Sequence, residues 1–237
     1  MNKIFKVIWS KSKQCYIVVS EIAKNKTGKK KIVVASILAA LTMTANIVTV
    51  EGAIPEGTRT DHLGLAIGTS SNSKSNQSVA IGYASSAEAP GANPENPATA
   101  VGAGANANGA GTVALGLSAN ATGTNAVALG GGSNGGTNKT EATAANATAI
   151  GFNAKASKSG AAAIGSGAKA SGSDSISFGT DTVADSEKAI AIGAGSKATN
   201  IGATALGRSS AATAASATAV GSLASATGTT ATAVGIE

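Results

Sequence analysis

The sequence predicts an all-β solenoid, a chain wound into short stacked coils rather than folded around a conventional core. Three observations carry that prediction. A tetrapeptide ending in glycine recurs at a fixed interval. The residues around each copy alternate in twos, as strand residues do. The composition lacks what a globular core needs: 31 of 237 residues are glycine, aromatics make up 3% and charged residues 13%, about half the usual globular share. Hydrophobic residues reach 43%, but much of that is alanine, which buries little area per residue.

The repeat runs Leu65-Ala-Ile-Gly68, Val79-Ala-Ile-Gly82, Thr99-Ala-Val-Gly102, Val113-Ala-Leu-Gly116, Val127-Ala-Leu-Gly130 and Thr148-Ala-Ile-Gly151. It continues as Ala162-Ala-Ile-Gly165, Ile176-Ser-Phe-Gly179, Ile190-Ala-Ile-Gly193, Thr204-Ala-Leu-Gly207, Thr218-Ala-Val-Gly221 and Thr232-Ala-Val-Gly235. Nine of the eleven glycine spacings are 14; the other two are 20 and 21, so they carry insertions of six and seven residues. Small residues recur three and five positions after each glycine, as in Ala105/Ala107, Ala154/Ala156 and Ser196/Ala198. Each unit therefore holds two short strands separated by Gly/Asn/Ser/Thr turns.

One such unit cannot bury an apolar face, but stacked copies form continuous ladders. The residues just before each glycine (Ile67, Ile81, Val101, Leu115 and their equivalents) are expected to form the shared aliphatic core row. The intervening alanines then face the opposite way and are expected to be the packing surface between chains. At roughly 4.8 Å per stacked strand, eleven intervals give a rod on the order of 50 Å long. The repeat glycine suits a corner needing positive φ or close approach. A coil this thin usually needs oligomerisation to be stable.

The leader differs in kind. Up to Lys31 there are nine basic residues against Glu21, a net of +8, whereas from residue 32 onward nine basic residues face eleven acidic ones, a net of −2. The overall +6 thus belongs to the leader. A basic segment ending Lys29-Lys30-Lys31 precedes the apolar Ile32-Val-Val-Ala-Ser-Ile-Leu-Ala-Ala-Leu41, then small residues: the order of a secretory signal peptide, with an N-terminal membrane anchor as the alternative. The apolar run is short for a membrane span. Cleavage is placed loosely between 45 and 53. The expected domains are a leader over 1–53, a linker over 54–62 and a repeat region over 63–237, with insertions at 83–98 and 131–147.

Composition also excludes functions. The single histidine, His62, and single cysteine, Cys15, leave no disulfide framework, no Cys/His zinc site and little for imidazole acid–base chemistry. His62 reads as a surface or capping residue, and Cys15 and Trp9 as leader residues. Nucleic-acid binding would want a basic face with stacking aromatics, and neither is present. Gly165-x-Gly167-x-x-Ala170 and Gly193-x-Gly195-x-x-Ala198 fit a dinucleotide fingerprint in letters only; that fingerprint requires a strand–turn–helix unit. Asp181, Asp185 and Glu187 lack calcium-loop spacing and read as a solvated acidic edge. The sequons at Asn120, Asn138 and Asn146 are made of common turn residues. A polysaccharide-cleaving solenoid would need paired carboxylates, but the acids are scattered. No catalytic residue, metal or cofactor is expected.

Two segments resemble a known family. Met1-Asn-Lys-Ile, Val7-Ile-Trp9 and Val18-Val-Ser-Glu21 resemble the extended signal peptide region of large autotransported surface proteins from Gram-negative-type envelopes. Ser78-Val-Ala-Ile-Gly82-Tyr-Ala-Ser-Ser-Ala87 resembles the YadA-like head repeat of trimeric autotransporter adhesins, with looser copies over about 63–237. The resemblance implies a left-handed parallel β-roll, a homotrimer and a helical leader removed on export. It also implies display at the cell surface and outer membrane, with adhesion to host extracellular matrix such as collagen-like proteins or to cell-surface receptors, a role in virulence. Self-association between cells, giving autoagglutination or biofilm, is the alternative. The family's neck, coiled-coil stalk and C-terminal barrel are not visible, and the chain stops two residues after Gly235. It is therefore expected to be an N-terminal fragment or a truncated product, with membrane anchoring only through a C-terminal part. Tyr83 and Phe152, each directly after a repeat glycine, are candidate ligand contacts, with corner filling as the alternative. The two insertions are candidate binding loops.

Overall fold

The computed structural model describes residues 5–10, 15–20, 58–59, 64–89, 97–133 and 137–235. The chain divides into two units, Met1–Glu51 and Gly52–Glu237. In the first, Phe5–Ser10 and Cys15–Ser20 pair antiparallel in full register, from Phe5 opposite Ser20 to Ser10 opposite Cys15. The helical leader expected from the resemblance is thus not what these residues form. Both segments are rich in β-branched and aromatic residues, which favour strands. His62 and the apolar run from Ile32 lie outside the described residues.

The second unit is a parallel β-solenoid. Its described strands fall into two 12-stranded sheets, one made of three-residue strands ending just before each repeat glycine, the other of two-residue strands following it. Consecutive coils pair in strict register: Val113 with Val127, Ala114 with Ala128, Leu115 with Leu129. The short sheet begins earlier than expected. Thr58–Arg59, inside the segment read as linker, pair in parallel with Asn72–Ser73.

Inside each coil four side chains point inward, and nearly all are alanine, serine or threonine. In one coil these are Ala98, Ala100, Ala105 and Ala107, all fully buried. The second pair follows the first by seven residues, so a 14-residue coil is two seven-residue halves with similar backbones and four residues spanning each corner. So few corner residues hold the sheets close together, and only methyl- or hydroxymethyl-sized groups fit between them. Several inward hydroxyls are satisfied by bonding the corner: Ser71 Oγ donates to Gly68 O at 2.7 Å, Thr112 Oγ1 to Gly109 O at 2.7 Å and Ser175 Oγ to Gly172 O at 2.7 Å, whereas the buried Ser196 Oγ has no hydrogen-bond partner.

This reverses the expected faces. The alanines are the intramolecular core, and the aliphatic residues point outward. Among the described residues no member of the two outward columns of the long sheet is buried, and Leu65, Leu115, Ile176, Phe178, Leu206 and Val234 are exposed. The strands alternate as expected, but the small side chains face inward because the coil interior is too narrow for Ile or Leu.

The corners explain the glycines. Gly82 has φ 130°, and a Cβ there would lie 2.6 Å from the carbonyl of Gly102 in the next coil. Down the repeat-glycine column φ stays between 117° and 145°. Two further left-handed positions recur per coil, two and nine residues after the glycine, filled by Gly or by residues such as Asn125, Asp174 and Ser118. Corner backbones are also bonded between coils: Asn125 N donates to Ala110 O at 2.8 Å and Asp181 N to Ser166 O at 2.9 Å.

Candidate binding surfaces

The two halves of a coil share a backbone but present different chemistry. Outward from the long strand stand aliphatic residues, as in Val113/Leu115, Val127/Leu129 and Ile190/Ile192. Outward from the short strand stand polar ones, as in Asn106, Asn120, Lys155, Lys169 and Lys197. The polar column makes its own bonds along the rod: Asn106 Nδ2 donates to Asn120 Oδ1 at 2.8 Å. The column just before the repeat glycine forms a continuous apolar strip along the long sheet of a single chain, while the outward column two residues earlier mixes Leu, Val, Ile and Ala with five threonines. Such a contiguous patch marks an interaction surface rather than a solvated one.

One coil departs from the pattern. Ser177 stands where the other coils place an inward alanine, and Phe178 is the single aromatic in the outward column beside it. Ser177 Oγ donates across the coil interior to Thr182 Oγ1 at 2.6 Å, and Thr182 Oγ1 in turn donates to Gly179 O at 3.0 Å. Both hydroxyls are fully buried, so the substitution is accommodated by a hydrogen-bond chain rather than by packing.

Tyr83 and Phe152 occupy the same corner column and are 65% and 51% exposed. They are not brought together: Gly102, Gly116 and Gly130 open the coils between them, so they stand about 19 Å apart along the rod at one strand spacing per coil. Leu117 lies between them in that column, half-buried.

The two insertions leave from opposite corners. The first follows the short strand Ser86–Ala87, and the ladder resumes at Ala98 and Thr99. The second follows Gly130, and Thr140 closes it. Thr140 is fully buried in the inward position, and its Oγ1 donates to Gly151 O at 2.6 Å. Glu141 bridges Lys139 at 3.2 Å and Lys155 at 3.5 Å. The insertion is narrower than the expected 131–147, since Glu141–Ala142 are already a regular short strand.

The acids do not converge. Asp185 pairs with Lys169 at 2.9 Å and Glu187 with Lys188 at 2.9 Å, while Asp181 sits at a left-handed corner with Oδ1 against Gly167. The Glu187 carboxylate, by hydrogen bond and charge, raises the Lys188 pKa above the ordinary lysine value. Among the described residues no three His, Cys, Asp or Glu side chains come together as metal ligands. Gly165-x-Gly167 and Gly193-x-Gly195 lie at solenoid corners between strands, not in the strand–turn–helix unit of a dinucleotide site.

These features define a class: a repeat-built parallel β-solenoid with one apolar side and one polar side. Family models match both the leader and the repeat region. The Extended Signal Peptide of Type V secretion system matches residues 1–48. The YadA head domain repeat matches 63–92, 97–119, 107–133, 142–168, 170–196, 184–210, 198–224 and 212–237. No curated protein matches the chain. The chain belongs to the trimeric autotransporter adhesin family with YadA-type head repeats, and its signal region and head mark an autotransported protein presented at the cell surface.

Proposed function

We propose that this chain forms the rod-like head of a surface adhesin, in which three copies pack their aliphatic strips about a common axis and turn their polar faces outward to host extracellular matrix, collagen-like proteins or cell-surface receptors. The observation that carries this reading is the unburied aliphatic column running the length of the long sheet. In one chain it faces water; against two others it becomes the core that the narrow alanine interior cannot supply. Tyr83 and Phe152, tripled by the assembly, give repeated aromatic contact points. Repetition along and around the rod produces avidity rather than one deep site.

Sedimentation of the exported protein, followed by binding to immobilised matrix proteins and to host cells, tests this. A trimer retained on at least one such surface is expected. A monomeric rod, or a trimer that no matrix protein or cell retains, overturns it. Self-association is the second reading, favoured by exposed apolar side chains away from the aliphatic strip, such as Tyr83, Phe152 and Ile201. Rods that sediment together without a host ligand would support it.

A further inference from the structure

The outward column of the short sheet changes character part-way along the rod. It is uncharged at Asn106 and Asn120, then reads Glu141, Lys155, Lys169, Val183 and Lys197, and is uncharged again at Ala211. Parallel in-register pairing sets Lys155 directly beside Lys169, about 4.8 Å away along the rod. Like charges directly opposite on neighbouring strands are unfavourable. The pair is tempered at its edges: Lys155 Nζ lies 3.5 Å from Glu141 and Lys169 Nζ 2.9 Å from Asp185. Lys139, on the same carboxylate as Lys155, extends the strip toward the second insertion. Lys197 is exposed and has no ion pair among the described residues. Four ammonium groups thus face two carboxylates, a local excess of positive charge on a chain that is slightly acidic from residue 32 onward. The Lys169–Asp185 pair is exposed and the Glu141 pairs are solvent-accessible at their lysine ends, so each contributes little and can be exchanged for an incoming anion.

We propose that the strip Lys139–Lys155–Lys169–Lys197 binds a linear anionic polysaccharide lying along the rod, its sulfate or carboxylate groups meeting the ammonium groups coil by coil. The arrangement favours a polymer because Lys155, Lys169 and Lys197 are collinear, at spacings of one and two coils, with Lys139 beside the start of the column, and a single small anion would use only one or two of them. It favours a glycan over a nucleic acid because this column carries no aromatic on which bases could stack; Tyr83, Phe152 and Phe178 belong to other columns. A protein partner would want an apolar anchor, and Val183 is the one aliphatic residue within the lysine run. The inference rests on the reading of the head as a host-surface binder and supplies a ligand class for it, but it does not require the trimer. A trimer would multiply the strip threefold.

Chromatography of the exported protein on heparin-agarose, on hyaluronan-agarose and on DNA-cellulose, each eluted with a sodium chloride gradient, tests the proposal. Retention on heparin is expected, with release as salt screens the charges. Retention on heparin alone identifies sulfate as the recognised group, and retention on hyaluronan as well identifies carboxylate. The triple variant Lys155→Gln, Lys169→Gln, Lys197→Gln should bind heparin at least tenfold more weakly while melting as the unsubstituted protein does. Lys74→Gln with Lys188→Gln, away from the strip, should leave elution unchanged. The proposal is overturned by no retention at low salt, by coelution of the triple variant with the unsubstituted protein, or by DNA retained as strongly as heparin. If matrix proteins and cells are still bound when heparin is not, this inference alone fails. If no host surface is bound at all, the adhesin reading fails with it.

Discussion

At the scale of single residues, the repeat glycine answers two demands at once. Its φ lies where side chains other than hydrogen are strained, and its α-carbon sits against the carbonyl of the same glycine one coil on. At Gly193, φ is 117° and a Cβ would stand 2.6 Å from Gly207 C and O. That carbonyl is itself held in place, accepting from Ser210 N at 3.2 Å and from Ser210 Oγ at 2.9 Å. Gly193→Ala is therefore expected to destabilise the head by about 2–3 kcal/mol, measured by denaturant unfolding. The left-handed positions two and nine residues further on are more permissive, because each opens onto the next coil's side chain rather than its backbone. A Cβ on Gly160 would meet Asp174 Oδ1, and one on Gly104 would lie 3.4 Å from Ser118 Oγ. A left-handed glycine is thus followed, one coil later, by a short polar side chain that lies over it.

The strand is the scale at which the two faces separate, and mutation can tell them apart. Ala149 points into the coil and is fully buried, whereas its neighbour Ile150 points outward and is only half-buried. Ala149→Leu should overpack the interior and cost about 1–3 kcal/mol, seen as lost β-signal in circular dichroism at lower denaturant. Ile150→Ser should leave the coil's circular dichroism intact and weaken association between chains, seen as a shift to smaller species in sedimentation. The opposite result, with Ile150→Ser unfolding the coil, would restore the aliphatic row to the interior. The two strands per repeat and their 14-residue spacing were legible from glycine and alternation alone, whereas the insertion bounds were drawn too wide, taking in the regular short strands Ser86–Ala87 and Glu141–Ala142. The orientation was not, since period two defines two faces without saying which is inside, and the usual preference of large apolar residues for interiors gives the wrong answer in a coil closed by four-residue corners. The uniform Ala/Ser/Thr character of four positions per coil was the available signal: a column that never exceeds threonine in size marks a confined space. The lysine strip was equally hidden, because Lys155, Lys169 and Lys197 are far apart in sequence and become collinear only when the short strands stack.

For the whole molecule, coil register matters more than any single contact, because one residue of slip turns every later side chain to the opposite face. The second insertion allows a direct test. Counted from Gly130, Thr140 and Glu141 hold the inward and outward positions that Thr182 and Val183 hold after Gly179. Removal of residues 132–138 would leave Gly131 and Lys139 as the corner and return the spacing from 21 to 14. Lys139 would then take a left-handed corner position, a conformation Lys188 adopts at the other corner with φ 55°. Because loop length affects closure entropy only slowly, this seven-residue deletion should leave a folded head whose melting temperature is unchanged or slightly raised. Removal of only six residues, 132–137, would place Lys139 where Thr140 now fills the interior and drive a charge into an alanine-lined coil. That variant should melt much lower or expose its C-terminal coils to limited proteolysis. Equal stability of the two deletions would mean that the ladder re-registers freely across the insertion, and that the 14-residue beat does not fix which side of the rod is apolar.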